Sequence, residues 1–430
     1  HSFNVFALRV GGFVLVYAAA LWLTRRLGAS GYGVYAYATT WLTVLTIPAL
    51  LGSDQLVLRE TAACLAQQRY GRLRGLLRWA QRVTMGAACA VTGAGIGVVA
   101  VLWALGRSDR QMLIAIGIAL LALPWLAFSN LRQGALRGLH RVTLCFVPEL
   151  LVAPALTLAM LVAAGWLLGT HFKPLHAVAI MAACVVPAYL LGSWLLRRNL
   201  PPALTAAPVE LHTGAWLRSA VPLMLISALY VMTARADTLL LGAIKGKEAV
   251  GLYDVARKLA DCISFVLLTV NAVLAPNVAR LYAQGAHAQL QRVVTWSARG
   301  VTAAALPLAL ILMFRGAWFL HFFGDKYDGM TSTLIVLCLG QIVNAASGSV
   351  GVILATTGHE RDAVLGISIG GVLNVVANLV LIPRFSYNGA AWAFLASMIT
   401  WNGLLAWFVY RRLGLDSTCL GILHRKPAHV

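Results

Sequence analysis

Charge is scarce in this chain, and acid is scarcer than base. Only 11% of the 430 residues are Asp, Glu, Lys or Arg, and Asp plus Glu number 14. A soluble domain carries about 25% charged residues, so a string of soluble domains is excluded. Cysteine is also sparse. The seven (Cys64, Cys89, Cys145, Cys184, Cys262, Cys338 and Cys419) form no CxxC and no metal-ligand spacing, and most fall in or beside apolar runs. They read as small core residues, not as a disulfide frame or metal site. There is no Walker A loop, no nucleotide fingerprint and no Ser/His/Asp cue. The loops are short, the longest running over 53–82, and leave no room for a separate aqueous catalytic domain. We therefore expect no enzyme activity, no catalytic residues, no cofactor and no metal.

What is present is apolar sequence: 60% of residues, with a mean hydropathy of +0.80. Runs of about 20 apolar residues cross a bilayer as helices. Twelve are predicted, at 5–24, 34–52, 83–105, 111–129, 144–168, 175–196, 217–243, 252–276, 293–320, 331–356, 363–382 and 389–410. The expected fold class is all-α: a polytopic membrane protein of about twelve transmembrane helices. The first run is followed by Arg25 and Arg26 with no cleavage region behind it, so it reads as a retained span. The chain begins at His1 without Met, from which we expect that native residues precede it.

Base is in excess, with 34 Lys and Arg and a net charge of +20. Such a balance raises nucleic acid as a partner, but the bases show no stripe and no reader motif. Loops after even-numbered spans, with the C-terminal end, hold 19 of them, loops after odd-numbered spans 9, and the spans themselves 6. The positive-inside rule then places both termini and the even loops in the cytoplasm. In the longest loop, Leu73, Leu76, Leu77, Ala80 and Val83 share one helical face opposite Arg74, Arg78 and Arg82. That pattern fits a helix lying on the inner leaflet or the basic start of a span, and both readings stay open.

The chain repeats itself. Gly33 and Tyr35 recur as Gly251 and Tyr253, Leu73 and Trp79 as Leu290 and Trp296, Gly106 and Met112 as Gly324 and Met330, and Gly138 and Arg141 as Gly358 and Arg361. The offsets are 217–220. Two six-helix bundles of the same orientation follow, related by an axis along the membrane normal, with substrate expected between them. The expected divisions are 1–198, a cytoplasmic linker 199–216, 217–412 and a cytoplasmic tail 413–430.

Three segments carry a family resemblance: Leu27 to Tyr35 (LGASGYGVY), Leu51 to Glu60 (LGSDQLVLRE), and Asp237 to Gly242 (DTLLLG) followed by Gly251 to Tyr253 and Ala275-Pro276. They resemble the polysaccharide transporter family, in the superfamily shared with multidrug and toxin extrusion antiporters and lipid II flippases. The resemblance implies a bacterial inner-membrane flippase. It would move an oligosaccharide linked to undecaprenyl pyrophosphate from the cytoplasmic to the periplasmic leaflet, as in O-antigen or capsule synthesis. Its implied partners are that glycan, membrane lipids and a polysaccharide polymerase. The competing readings are a multidrug-type antiporter coupled to H+ or Na+, and an integral-membrane glycosyltransferase, against which the short outer loops argue.

Ionisable residues inside spans are costly and are functional candidates by default. On span 8, Asp254, Arg257, Lys258 and Asp261 share a face, with ion pairs available at spacings of three and four. Arg235 and Asp237 on span 7 are their nearest partners in sequence. Arg9 and Arg299 have no acid within four residues and suit bidentate phosphate binding, though snorkelling to the interface stays open for both. Glu149 beside Pro148 is a proton or cation site, or a neutral hydrogen-bonded acid. Arg9, Arg299, Arg235, Arg257 and Lys258 are thus the substrate candidates. Asp237, Asp254, Asp261 and Glu149 are the gating or ion-coupling candidates.

Overall fold

A computed structural model describes residues 2–106 and 109–421; Arg107, Arg425 and Lys426 of the loop tally lie outside it. The described chain is helical throughout. In order come α1 (Ser2–Leu50), α2 (Ser53–Ala66), α3 (Tyr70–Ala104), α4 (Arg110–Leu120), α5 (Leu123–Gly138) and α6 (Val142–Val147). A π-helical turn, Pro148–Val152, joins α6 to α7 (Ala153–Leu168), followed by α8 (Pro174–Asn199) and the single turn α9 (Ala203–Ala206). The rest are α10 (Thr213–Lys245), α11 (Lys247–Ala283), α12 (His287–His321), α13 (Thr331–Ser347), α14 (Val350–Thr356) and α15 (Glu360–Leu413).

Eight of these helices are long and apolar enough to cross a membrane, or up to ten when each bent pair counts as one span. The expected span at 111–129 is one such pair: α4 and α5 meet at a 45° bend, and the second helix continues to Gly138. Three further helices are interrupted. α1 leaves helical geometry at Gly28 (φ 67, ψ 179), α12 at Arg315 (φ −114, ψ 16) and α15 at Ser386 (φ 52, ψ −131).

The chain packs as two compact units, 1–231 and 232–430, with the division inside α10. In unit 1, Tyr32, Leu73, Leu76, Leu120, Leu123 and Leu136 are completely buried. Helix α5 lies close along α2, where Gly134 faces the Asp54 carbonyl and Gly138 faces Thr61 and the Leu58 carbonyl, as small residues permit between membrane helices. The leucines read as a leaflet-lying face do something else. α3 is unbroken from Tyr70, and Leu73, Leu76 and Ala80 pack into unit 1, so this stretch is the first three turns of a long helix. In unit 2 the core gathers Leu274, Val278, Val294, Ile353, Leu405 and Val409, with α14 and the end of α15 covering α11 and α12.

Backbone breaks recur at a nearly constant spacing. Gly28 and Gly246 (φ 81, ψ −172) share one rare conformation, 218 residues apart. Gly169 (φ 51, ψ −122) and Ser386 share another, 217 apart. Gln68 pairs with Gly285, Gly106 with Gly324, and His140 with Gly358, all at positive φ. The last pair corrects the repeat read from sequence: Gly358 answers His140, not Gly138, so the offset stays at 218 there. Where ψ is near 180°, as at Gly28 and Gly246, positive φ is essentially confined to glycine. Nothing crowds a side chain at either position, so the requirement is conformational, not spatial.

Candidate functional site

Unit 2 concentrates its interior charge on α10 and α11, with the amide Gln341 of α13 beside it. Asp237, 1% exposed, accepts hydrogen bonds from Arg257 Nη1 at 2.6 Å and Tyr253 Oη at 2.6 Å. Thr238 N donates to its other oxygen at 2.8 Å. Arg257 Nε donates to Asp261 Oδ1 at 3.2 Å, and the guanidinium lies 4.0 Å over the Phe394 ring. Gln341 Nε2 reaches the same Asp261 oxygen at 2.8 Å, and its own carbonyl is bonded to the Ser264 hydroxyl. One turn away, Lys258 is paired with the buried Asp254. A helix supplies residues at i, i+3 and i+4 to one face, which is why one segment of α11 delivers all four charges. Each cation of the cluster is held by at least one carboxylate. The surrounding protein has replaced the water these ions would lose on entering a membrane. Arg235 is half-buried, and Arg315, at a break in α12 (φ −114, ψ 16), is exposed.

Arg299 has a different environment. Its Nε donates to the Cys419 carbonyl at 3.1 Å and Nη2 to the Gly421 carbonyl at 3.0 Å. Nearby, Gln291 exchanges hydrogen bonds with Asp416, donating to its carbonyl and accepting from its N–H, both at 2.7–2.8 Å. These contacts fasten the segment after α15 to α12. The pair Asn374 and Asn378, fully buried on α15, is bonded within the helix.

In unit 1, Arg9 lies 5.5 Å from the centre of the Phe146 ring. Glu149, on the π-helical turn, is paired with Arg132 of α5. The predicted span ends at 129, which puts Arg132 among the bases of the following loop. α5 instead continues for more than two turns beyond 129, carrying Arg132 inside at 4% exposure. The guanidinium fits against Gly192 of α8, where a Cβ would lie 1.3 Å from Nη1.

Unit 1 also holds a cavity of about 400 Å3, bounded by α1, α2, α5 and α10. Its walls are mostly apolar, with Thr43, Thr46, Asn130 and Ser227 as polar points and Asp54 as the single carboxylate. The Gln55 amide donates to Asp54 Oδ2 at 3.1 Å. The predicted spans leave Asp54 in the loop 53–82, whereas it stands in the first turn of α2. A lone acid in a largely apolar cavity suits a proton, a metal cation or an organic cation. Among the described residues, no group of three or more His, Cys, Asp or Glu could hold a metal ion.

Comparison with known proteins now decides the family. The model of the family described as "Polysaccharide biosynthesis protein" matches residues 6–282. The chain belongs to this family. A second model, MatE, matches 222–380. The protein is thus a polytopic membrane protein of the polysaccharide biosynthesis family whose second half also matches MatE. An uncharacterized membrane protein of Methanocaldococcus jannaschii is 28% identical over 178 residues, which cover 38% of this chain and 34% of that relative. The chain therefore matches about a third of that relative's length.

Solved structures share the fold. An inward-facing MATE family multidrug resistance transporter superposes with a TM-score of 0.75 at 13% identity, covering 94% of each chain. The lipid II flippase MurJ, in an inward closed conformation, gives 0.73 at 11%, covering 95% of this chain and 87% of that one. A MOP superfamily transporter from Pyrococcus furiosus, whose binding pocket is described as having reverse polarity, gives 0.69 at 12%, covering 95% and 94%.

Proposed function

We propose that the protein carries an amphipathic substrate across the bilayer by alternating access between two six-span halves. The observation that carries this is the recurrence of the backbone breaks at 217–218 residues in a chain of transporter fold. The span count follows from length. α1 and α15 hold 49 and 54 residues, whereas about 20 suffice to cross a bilayer. Divided at Gly28 and Ser386, each supplies two spans, which raises ten to twelve. The halves on this reading are 1–198 and 217–412, joined by 199–216, with both termini in the cytoplasm.

Two substrate classes have support. The site geometry and the MatE match favour a small molecule exchanged against H+ or Na+. The cavity around Asp54 falls in the size range of small-molecule sites, about 300–1,000 Å3, and holds an acid and no base. The candidate cations, by contrast, are engaged: Arg257 by two aspartates, Lys258 by Asp254, and Arg299 by backbone carbonyls.

Membership of the polysaccharide family favours the second class, an undecaprenyl-pyrophosphate-linked oligosaccharide moved to the periplasmic leaflet of a bacterial inner membrane. On this reading Arg9, Arg235, Arg257, Lys258 and Arg299 meet the pyrophosphate, and Asp237, Asp254, Asp261 and Glu149 gate. Arg299 then has to release the segment at 419–421 before it can bind phosphate.

Purified protein in proteoliposomes separates the two classes. Uptake of a cationic dye driven by a pH or Na+ gradient, insensitive to added lipid-linked glycan, supports the antiporter. Transfer of a fluorescent lipid-pyrophosphate glycan between leaflets, with no dye uptake, supports the flippase. Neither activity, from folded protein under both gradients, overturns the transport reading.

A further inference from the structure

A second cavity of unit 1, about 510 Å3, opens among α3, α5, α8 and α9. Four arginines line it: Arg74 and Arg78 from the first turns of α3, Arg132 from α5 and Arg197 from the end of α8. Gln81, Tyr189 and Ser193 add hydrogen-bonding groups, and none of the lining residues is acidic. The other walls are leucines, alanine and a phenylalanine.

The four arginines differ in freedom. Arg74 Nη1 donates to the Ala207 carbonyl at 2.7 Å, which ties the irregular segment before α10 to α3. Arg78 and Arg197 are exposed. Arg132 is the fixed member, with its side chain 3% exposed and its charge balanced by Glu149 from one side. Its Nε and Nη1 nevertheless have no hydrogen-bond partner, and neither has Glu149 Oε2. A buried guanidinium with two idle donors is costly unless something accepts from them. Three further guanidinium groups around one cavity raise the potential that attracts an acceptor of negative charge.

We infer that this cavity binds the phosphate of a phosphate ester, with Arg78, Arg132 and Arg197 as ligands and the leucine walls receiving the carbon skeleton beside it. Guanidinium groups pair with phosphate oxygens in forked geometry, and the mixed apolar lining suits an amphiphile. The ester could reach the cavity as the headgroup of an anionic phospholipid or as a soluble phosphate. The proposal rests on neither substrate reading of the Asp54 cavity.

The test titrates full-length protein in nanodiscs of neutral lipid with dioleoylphosphatidylglycerol, dioleoylglycerol or soluble glycerol phosphate. Retained ligand is read by native mass spectrometry and thermal stability in parallel. Retention of phosphatidylglycerol but not dioleoylglycerol assigns the site to the lipid headgroup; retention of glycerol phosphate assigns it to a soluble ester. Arg78→Gln and Arg197→Gln, at exposed positions, leave the fold intact, and each is expected to weaken binding about tenfold. A control pair, Arg280→Gln and Arg292→Gln, exposed in unit 2, should bind as wild type. Because Arg132→Gln alone strands Glu149, it is combined with Glu149→Gln, and the double variant should fold and lose binding. Equal retention by wild type, R78Q/R197Q and the control pair overturns the proposal, as does failure of both phosphate-bearing probes to bind or retention of dioleoylglycerol as strong as that of phosphatidylglycerol.

Discussion

The two units repeat a backbone but not a charge pattern. Gly28 and Gly246 open equivalent segments in the same left-handed geometry, and Gly169 and Ser386 close them in another. On that common skeleton unit 1 places one deep ion pair, Arg132–Glu149, an apolar cavity with a single acid and an arginine-lined cavity. Unit 2 places a saturated network around Asp237 and Arg257. The difference teaches that duplication conserved where the chain must bend, while the interior charges are specific to each half. The network of unit 2 pairs Arg257 and Lys258 with carboxylates, and in unit 1 Arg132 keeps two donors idle.

The sharpest way to break that comparison is to remove the cation at the centre of each network. Arg257→Ala strands Asp237 and Asp261, and should cost about 3–5 kcal/mol, the effect of leaving a buried charge uncompensated. We expect it to lower yield and thermal stability in detergent more than any other single change in unit 2. Arg132→Ala should follow at similar size in unit 1, and Arg132→Gln with Glu149→Gln should recover most of the loss. A double variant no more stable than R132A would mean that the pair holds no charge balance.

The shared skeleton makes a smaller prediction of opposite signs. Gly28→Ala and Gly246→Ala should each destabilise by about 1–3 kcal/mol, because the backbone there is nearly forbidden to a side chain. Ser386→Gly should stabilise, since Gly169 holds the matching position of unit 1. Equal thermal midpoints for S386G and wild type would remove the argument that the breaks are equivalent. At the small end lies Lys326–Glu248, an exposed pair at 3.1 Å in unit 2. Lys326→Ala should leave the thermal midpoint unchanged within error, as solvated pairs contribute little.

The membrane architecture was legible from the scarcity of charge and the apolar runs, because a bilayer demands both. Asp254–Lys258 and Arg257–Asp261 were legible as pairs, since helical spacing places them on one face whatever surrounds them. The link from Arg257 to Asp237 was legible only as a neighbour in sequence, since it depends on how α10 meets α11. Arg132 was not legible as an interior residue. It follows an apolar run, as loop arginines do, and only the bend between α4 and α5, with the room left by Gly192, brings it inside. The environment of Arg299 was also hidden: its acceptors are backbone carbonyls more than a hundred residues away, and side-chain spacing carries no signal for those. Asp54 was underweighted because α2 has little apolar character of its own.

The most direct test of transport through the unit 1 cavity is accessibility. A single cysteine at Asn130, in a chain whose seven native cysteines are replaced, is exposed to a membrane-impermeant thiol reagent from each side of sealed vesicles, with and without substrate. Alternating access predicts reaction from both sides, with substrate raising one rate as it lowers the other. Reaction from one side only, at a rate that substrate leaves unchanged, would contradict it.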